Sequence, residues 1–566
     1  MKPITTSVFT FSHLIEGDFV YIDKTAGIHD LLRPGKAQYF LSRPRRFGKS
    51  LLISTIKATF QGRRDLFEGL ALADSGYDWP VHPVIHLDLG SAAANTAEGL
   101  EEHLLAELRY NADQADVSLS ACSAPLAFLE LVRKLSDRDG KVVILVDEYD
   151  KPLLGHLGQP SVLPVQTLLK QFYSVIKTTE PLQRFALLTG VSKFAKVSVF
   201  SDLNNLTDLT MDPRSATLLG YTQEELEAGF PDYIERLAGT LDKTVAETLD
   251  ELRVWYNGYR FEATAPTVYN PVSVMKCLDT QRINNYWFET GTPTFLVNLL
   301  RKSPLNPAGL MADEHDFAVY DPVHPDILPL LVQTGYLTIK GVEGPPGGFL
   351  YQLGYPNREL EISFSRSLAQ GFTELPPEEI TGALVRLTAA LREGRIEDML
   401  DTLKVFFARV PHTISIENEK YYQTIFFTVF TLLGAMTEAE VSTNIGRIDA
   451  VVKTEAGIFI FEFKLNGSAE EALAQIKEKR YFEPYLEDGR PVSLIGVAFS
   501  REQRNLGEHL IEVLPADAAP SRICEGEAAY AADPLPDARE IARRLHARGM
   551  DPALIAQITG SVLDGV

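Results

Sequence analysis

Four short apolar runs punctuate the first 210 residues: AQYFL (37–41), VIHLDL (84–89), VVILV (142–146) and RFALLT (184–189). Helix-length segments separate them, and such short apolar runs suit strands buried on both faces, so the pattern predicts a parallel α/β sheet. From 211 to 390 the periodicity turns mainly helical, broken at WYNGYRF (255–261), YNPVSV (269–274) and EGPPGGF (343–349). A second α/β pattern fills 391–515. It predicts an apolar helix at 419–436, paired strands within 447–464, a helix near 469–483 and a strand at 492–499. ADAAP (516–520) and AADPLPD (531–537) have linker composition, and REIARRLHARGMDPALIAQITG (539–560) predicts two short helices around a turn at Gly549. The expected division is 1–210, 211–390, 391–515 and 516–566.

Composition sharpens this only in places. The chain has 566 residues and 45% hydrophobic content, enough for several cores. Its net charge of −22, from 76 acidic and 54 basic residues, opposes indiscriminate nucleic-acid binding. A local basic cluster of Arg43, Arg45, Arg46, Arg63 and Arg64 remains. Cys122, Cys277 and Cys524 have no ligand-like or disulfide spacing, which points to a reducing, cytoplasmic setting. The first residues lack the form of a signal peptide, and the longest uncharged stretch, 421–436, is short of a membrane span of ~20 residues.

The stretch RPRRFGKS (43–50) follows the first predicted strand and precedes a helical pattern. A phosphate-binding loop needs that setting, with backbone amides and a lysine for the phosphates and a hydroxyl for magnesium. Gly48, Lys49 and Ser50 fill the last positions, but Arg43 stands where the pattern has its first glycine, so a plain turn stays open. The third strand ends in Asp147 and Glu148. There one acid can hold a magnesium shell and the next can orient or deprotonate water, the alternative being an acid pair capping a helix. The fourth strand ends in Thr189, Gly190 and Ser192, where a polar side chain can sense a terminal phosphate.

FVYIDKT (19–25), FLSRPRRFGKS (40–50), VILVDEYDKPL (143–153) and LLTGVSKF (187–194) together resemble the bacterial AAA-ATPase-like family, in which an arginine-rich loop precedes Gly-Lys-Ser/Thr and the first glycine is usually missing. The resemblance implies a P-loop NTPase fold binding ATP and Mg2+. Arg46, Gly48, Lys49, Ser50, Asp147, Thr189 and Ser192 would then be its nucleotide-binding residues, Ser50 and Asp147 its metal contacts and Glu148 its catalytic acid. YNGYRF and YNPVSV extend the match.

GRIDAVVKTEAGIFIFEFK (446–464) reads as a hairpin turning at Glu455, Ala456 and Gly457. Period two sets Ile458, Ile460, Glu462 and Lys464 on one face and Phe459, Phe461 and Phe463 on the other. Both faces look buried, so Glu462 and Lys464 need neutralising partners or a metal, and Asp449 on the neighbouring strand can supply one. Two carboxylates on a divalent ion beside a lysine suit phosphodiester hydrolysis. A simple ion pair within the hairpin is the other reading.

With Glu419 on the preceding helix and Gln475 on the following one, this arrangement resembles the PD-(D/E)XK nuclease superfamily. LGYPNREL (353–360) and EALAQIKEKRYFEPY (471–485) also resemble the form fused behind the AAA-ATPase-like domain. The resemblance implies Asp449, Glu462 and Lys464 as the metal-and-water triad, Glu419 as a further metal ligand and Gln475 as an accessory catalytic residue, with Mg2+ or Mn2+. Ile448 stands where the superfamily's name has proline. The tail resembles helix-turn-helix-like segments of transposase-related nucleases, a self-association helix pair being the other reading.

The expected function is an ATP-binding and ATP-hydrolysing protein coupled to a nuclease acting on DNA or RNA, in genome defence or mobile-element processing, without a membrane and compatible with a homo-oligomer. The competing reading is a nucleotide-switched module that grips nucleic acid or protein through an inactive nuclease-like domain.

Overall fold

The computed structural model describes residues 1–514 except 93–95, 195–204, 288–293, 303–309, 346–347, 374, 409–424, 426–427, 434–439, 445–448, 465–466 and 501–504. Glu419 and the expected linker and tail at 516–566 lie outside the described residues.

The four predicted strands form β1 (Ala37–Ser42), β2 (Val84–Asp88), β3 (Val142–Asp147) and β4 (Gln183–Gly190), joined by the two-residue β5 (Thr207–Asp208). They make one parallel sheet in the order β2-β3-β4-β1-β5. β3 is buried along its whole length, as its unbroken apolar run requires. The helix Ala97–Gln114 starts where the Thr96 side chain accepts from Gly99 N, and it turns Leu100, Leu104, Leu108 and Ala112 inward at four-residue spacing. Ala124–Asp139 and Val162–Thr178 add their apolar faces to the same core.

Beyond the sheet, helices Gln223–Gly229, Pro231–Leu241, Val245–Tyr256 and Pro271–Thr280 close around Leu226, Phe230, Leu252, Tyr256 and Val274. Capping boxes at Thr222 with Glu225 and Thr244 with Glu247 fix two of their starts. The helical reading of 211–390 did not anticipate a three-stranded antiparallel sheet of β6 (Leu310–Ala312), β7 (Thr338–Glu343) and β8 (Leu350–Gly354), ordered β6-β8-β7. Its strands are short, and β7 is broken in register near Gly341, so no period-two run is long enough to read. Helices Arg358–Thr373, Pro377–Arg392 and Ile396–Ala408 then lead, each packed on the next, to the C-terminal sheet.

That sheet runs β13 (Asn505–Leu514), β12 (Val492–Ser500), β11 (Gly457–Lys464), β10 (Asp449–Thr454), β9 (Glu440–Asn444). β11 and β12 are parallel and the other pairs antiparallel. The helix Ala469–Glu478 connects the parallel pair, opened by a capping box of Ser468 and Glu471. It lies so close to β12 that a Cβ on Gly496 would sit 2.4 Å from Ala469 O and 2.7 Å from Leu473 N. The helix ends at Glu478, five residues short of expectation, where Arg480 turns to φ 53° and a 3-10 turn spans Glu483–Tyr485. Of the apolar helix expected at 419–436, residues 425 and 428–433 are described, and they are helical.

Candidate nucleotide and nuclease sites

The phosphate loop joins β1 to the helix Lys49–Phe60. Gly48 caps that helix at φ 93°, a left-handed conformation that only glycine adopts without strain, and Arg46 adopts φ 67°. Lys49 is buried, and its Nζ donates to Arg43 O and Pro44 O, each at 2.9 Å. Burial lowers its pKa, opposed by the field of Asp147, Asp150 and Glu148. Ser50 follows, half-buried on the first turn.

Arg43, in place of the usual glycine, is 1% exposed. Its Nη1 donates to Ser42 O and Thr210 O at 2.8 Å, its Nη2 to Ser215 O at 2.9 Å, and the guanidinium lies 4.2 Å over the Phe261 ring. It therefore staples the loop to the segment after β5. YNGYRF belongs to the same wall: Phe47 packs on Tyr259 and Phe261, and Gly258, at φ 108°, would place a Cβ 2.0 Å from Pro356 O. Arg46 Nη1 donates to Tyr286 O at 3.0 Å. Glu359, from LGYPNREL, faces this module: fully buried, its Oε1 accepts from Tyr286 N at 2.6 Å and Trp287 N at 2.8 Å, and burial raises its pKa to about 7.

The ends of β3 and β4 meet beside Lys49. Asp147 Oδ1 accepts from Thr189 Oγ1 at 2.6 Å and from Glu148 N at 2.9 Å. Glu148, at φ 50°, turns away half-exposed, its pKa raised by burial and held back by Lys151. Ser192 Oγ donates to Asp150 Oδ2 at 2.5 Å. The structure thus brings Lys49, Asp147, Glu148 and Thr189 to one end of the sheet, while Arg46 and Ser192 hold neighbouring backbone and carboxylate. Sequence reasoning noted Arg43 only as a departure from the loop pattern and did not single out Glu359, because the partners of both lie far along the chain.

In the C-terminal sheet the two faces of β11 separate as period two requires. Ile458 and Ile460 join Ile476, Leu494 and Leu514, whereas Phe461 and Phe463 pack on Phe430. Glu462 is 1% exposed, its Oε1 3.4 Å from Lys464 Nζ, and its Oε2 has no hydrogen-bond partner among the described residues. Lys464 Nζ also donates to Gln475 Oε1 on the helix behind. The ladder sets residue 449 directly opposite Glu462, though the Asp449 side chain lies outside the described residues. Among the described residues no group of three or more metal-ligating side chains is assembled.

A parallel sheet with a phosphate loop after its first strand and an acid pair ending another defines a P-loop ATPase-like domain, followed by a mixed-sheet domain of the PD-(D/E)XK type. Residues 4–200 match the family model described as a predicted AAA-ATPase, and 417–509 match that of the PD-(D/E)XK nuclease superfamily. Over 529 residues, 91% of this chain and 99% of the relative, the sequence is 37% identical to an uncharacterized protein of the vnfD 5' region of Azotobacter chroococcum mcd 1. The chain belongs to the family of that protein, carrying an AAA-ATPase-like domain ahead of a PD-(D/E)XK nuclease-superfamily domain. Among solved structures, Aeropyrum pernix ORC2 aligns at 13% identity over 60% of this chain and 92% of its own, with a TM-score of 0.27. Aeropyrum pernix ORC1, solved with DNA, aligns at 14% over 62% and 95%, with a TM-score of 0.25. No helix among the described residues is long and apolar enough to cross a membrane.

Proposed function

We propose that the N-terminal domain binds ATP with magnesium and hydrolyses it, and that this cycle controls a magnesium- or manganese-dependent nuclease in the C-terminal sheet acting on DNA or RNA. At the first site Lys49 would leave the carbonyls of Arg43 and Pro44 for the terminal phosphates, and the helix N-terminus behind Gly48 would present amides to them. Ser50 and Asp147 would hold the magnesium, Glu148 would orient or deprotonate the water, and Thr189, bonded to Asp147, would sense the terminal phosphate. Arg46 and Ser192 would fix the walls.

The observation that carries the nuclease half is Glu462. A buried carboxylate oxygen without a hydrogen bond is costly, and a hard divalent cation matches it. Glu462, with Asp449 across the ladder and Glu419, would hold that ion, which when bound polarises the phosphate and activates water. Lys464 would aim its ammonium at that water or at the phosphate, and Gln475 would orient it. Cys122 and Cys277 are free thiols, which suits a cytoplasmic setting. A homo-oligomer is compatible with this reading.

The test is incubation of the purified protein with supercoiled, linear and single-stranded DNA and with RNA, with and without each metal and ATP. Cleavage that needs metal supports the reading. ATP and nucleic-acid binding with no cleavage in either metal would favour the switch-only alternative.

A further inference from the structure

Asp150 ends the sequence VDEYD and precedes the short helix Lys151–Leu154, where an aspartate normally caps the helix amides. It makes no such cap. Its carboxylate, fully buried, turns across to the strip after β4, where Oδ2 accepts from Val191 N at 3.1 Å, Ser192 N at 2.7 Å and Ser192 Oγ at 2.5 Å. Gly190 makes this approach possible, since a Cβ there would sit 2.5 Å from both Asp150 Oδ1 and the Tyr149 ring. Tyr149 closes the clamp, its OH donating to Ser192 O at 2.7 Å and its N to Thr189 O at 3.0 Å.

The far side of the same strip belongs to the middle region. Lys193 N donates to Gln333 Oε1 at 2.7 Å, and Phe194 pairs with Tyr320. Gln333 is buried and uses its amide hydrogens on Ala318 O at 2.8 Å and Phe317 O at 3.2 Å, so all its polar atoms serve this junction. Its helix, Ile327–Gln333, packs on Thr294–Lys302, that on Arg358–Thr373, and the helices beyond reach β13 of the nuclease-like sheet. Lys193 of the strip lines a cavity of about 440 Å³ together with Arg43, Pro44 and Gln333.

We propose that Asp150 is a positioning residue that transmits the state of the nucleotide site to the middle region by gripping the strip Gly190–Phe194. Glu148 is two residues from Asp150, and Thr189 is three from Ser192. A change at either therefore moves one half of a single clamp, and charge-assisted hydrogen bonds carry the other half with it. The inference rests on the reading of the N-terminal site as an ATP site.

The experiment compares wild type, Asp150→Asn, Ser192→Ala and Ser192→Thr as full-length protein. It measures fluorescent-ATP binding, steady-state ATPase, and hydrogen exchange of 314–339 with and without a non-hydrolysable ATP analogue. We expect kcat lowered ~10-fold in Asp150→Asn and Ser192→Ala, with ATP affinity within ~3-fold of wild type in Asp150→Asn, which lies outside the nucleotide-binding set. We also expect those two to lose the nucleotide-dependent difference in exchange, and Ser192→Thr, which keeps the hydroxyl, to restore both. If Asp150→Asn does not fold, Ser192→Ala carries the comparison alone. A nucleotide-dependent difference that persists in Ser192→Ala, or one absent from ATP-bound wild type, overturns the transmission role. A wild type that binds no ATP overturns the reading of the site itself, and the titration reveals that separately.

Discussion

Thr189 Oγ1 donates to Asp147 Oδ1 at 2.6 Å, tying the end of β4 to the end of β3 beside Lys49. Both side chains are buried, and the bond is charge-assisted. On the proposed reading, a threonine so placed would align the acid and sense the terminal phosphate. Thr189→Val, which keeps the shape and removes the hydroxyl, should leave ATP affinity nearly unchanged and lower turnover by ~10–100-fold. Nucleotide titration beside steady-state ATPase checks this, and unchanged turnover would move the sensing role off β4.

Lys49 and Glu148 should separate binding from hydrolysis. Lys49→Ala should abolish ATP binding and leave the circular dichroism spectrum intact, because among the described residues Lys49 donates to its own loop alone. Glu148→Gln should bind ATP and turn it over ~10²–10⁴-fold more slowly. Burial raises the Glu148 pKa, so the base form is lost, and wild-type turnover falls, at higher pH than for an exposed glutamate. A kcat profile that declines only in the ordinary carboxylate range would take Glu148 out of the base role.

Arg43 makes the loop's departure from the usual pattern a structural requirement. Restoring the common residue with Arg43→Gly would strip hydrogen bonds from the half-buried Thr210 carbonyl and the buried Ser215 carbonyl and remove the guanidinium from Phe261. We expect a loss of ~2–5 kcal/mol in urea unfolding. A variant as stable as wild type would show that Arg43 is dispensable to the fold.

Glu359 should give the protein a pH-dependent stability. Its folded pKa, about 7, lies above its ordinary value of 4.5, so the folded state holds a proton that the unfolded chain releases. Its contribution is fully present at low pH and is lost as pH rises from about 4.5 to about 7, by up to ~3 kcal/mol. Glu359→Gln keeps an acceptor for Tyr286 N and Trp287 N and should flatten that slope between pH 5 and 8. An identical slope in the variant would assign the effect to another group.

How much of this was legible beforehand follows from how local each cause is. The strands of the first sheet announce themselves because burial on both faces leaves unbroken apolar runs, and Gly48-Lys49-Ser50 stands at the junction of strand and helix. The faces of β11 are legible because a two-residue turn fixes the register. Arg43 is different, since what makes it a staple is Thr210, Ser215 and Phe261, and nothing near it in sequence points to them. The grip of Asp150 on Ser192 spans 42 residues, and DEYD reads equally well as a helix cap. The sheet of β6, β7 and β8 escaped because its strands are too short for a period to emerge.

The central claim, that the C-terminal sheet is a metal-dependent nuclease, is tested most directly by cleavage and metal binding measured together on wild type, Glu462→Gln and Lys464→Ala. Manganese affinity is read by calorimetry, and cutting is read on supercoiled, linear and single-stranded DNA and on RNA, with ATP present and absent. The account predicts cleavage by wild type that needs the metal, loss of both metal binding and cleavage in Glu462→Gln, and loss of cleavage with metal binding retained in Lys464→Ala. ATP turnover should stay largely intact in both variants. Cleavage by Lys464→Ala at the wild-type rate would contradict it.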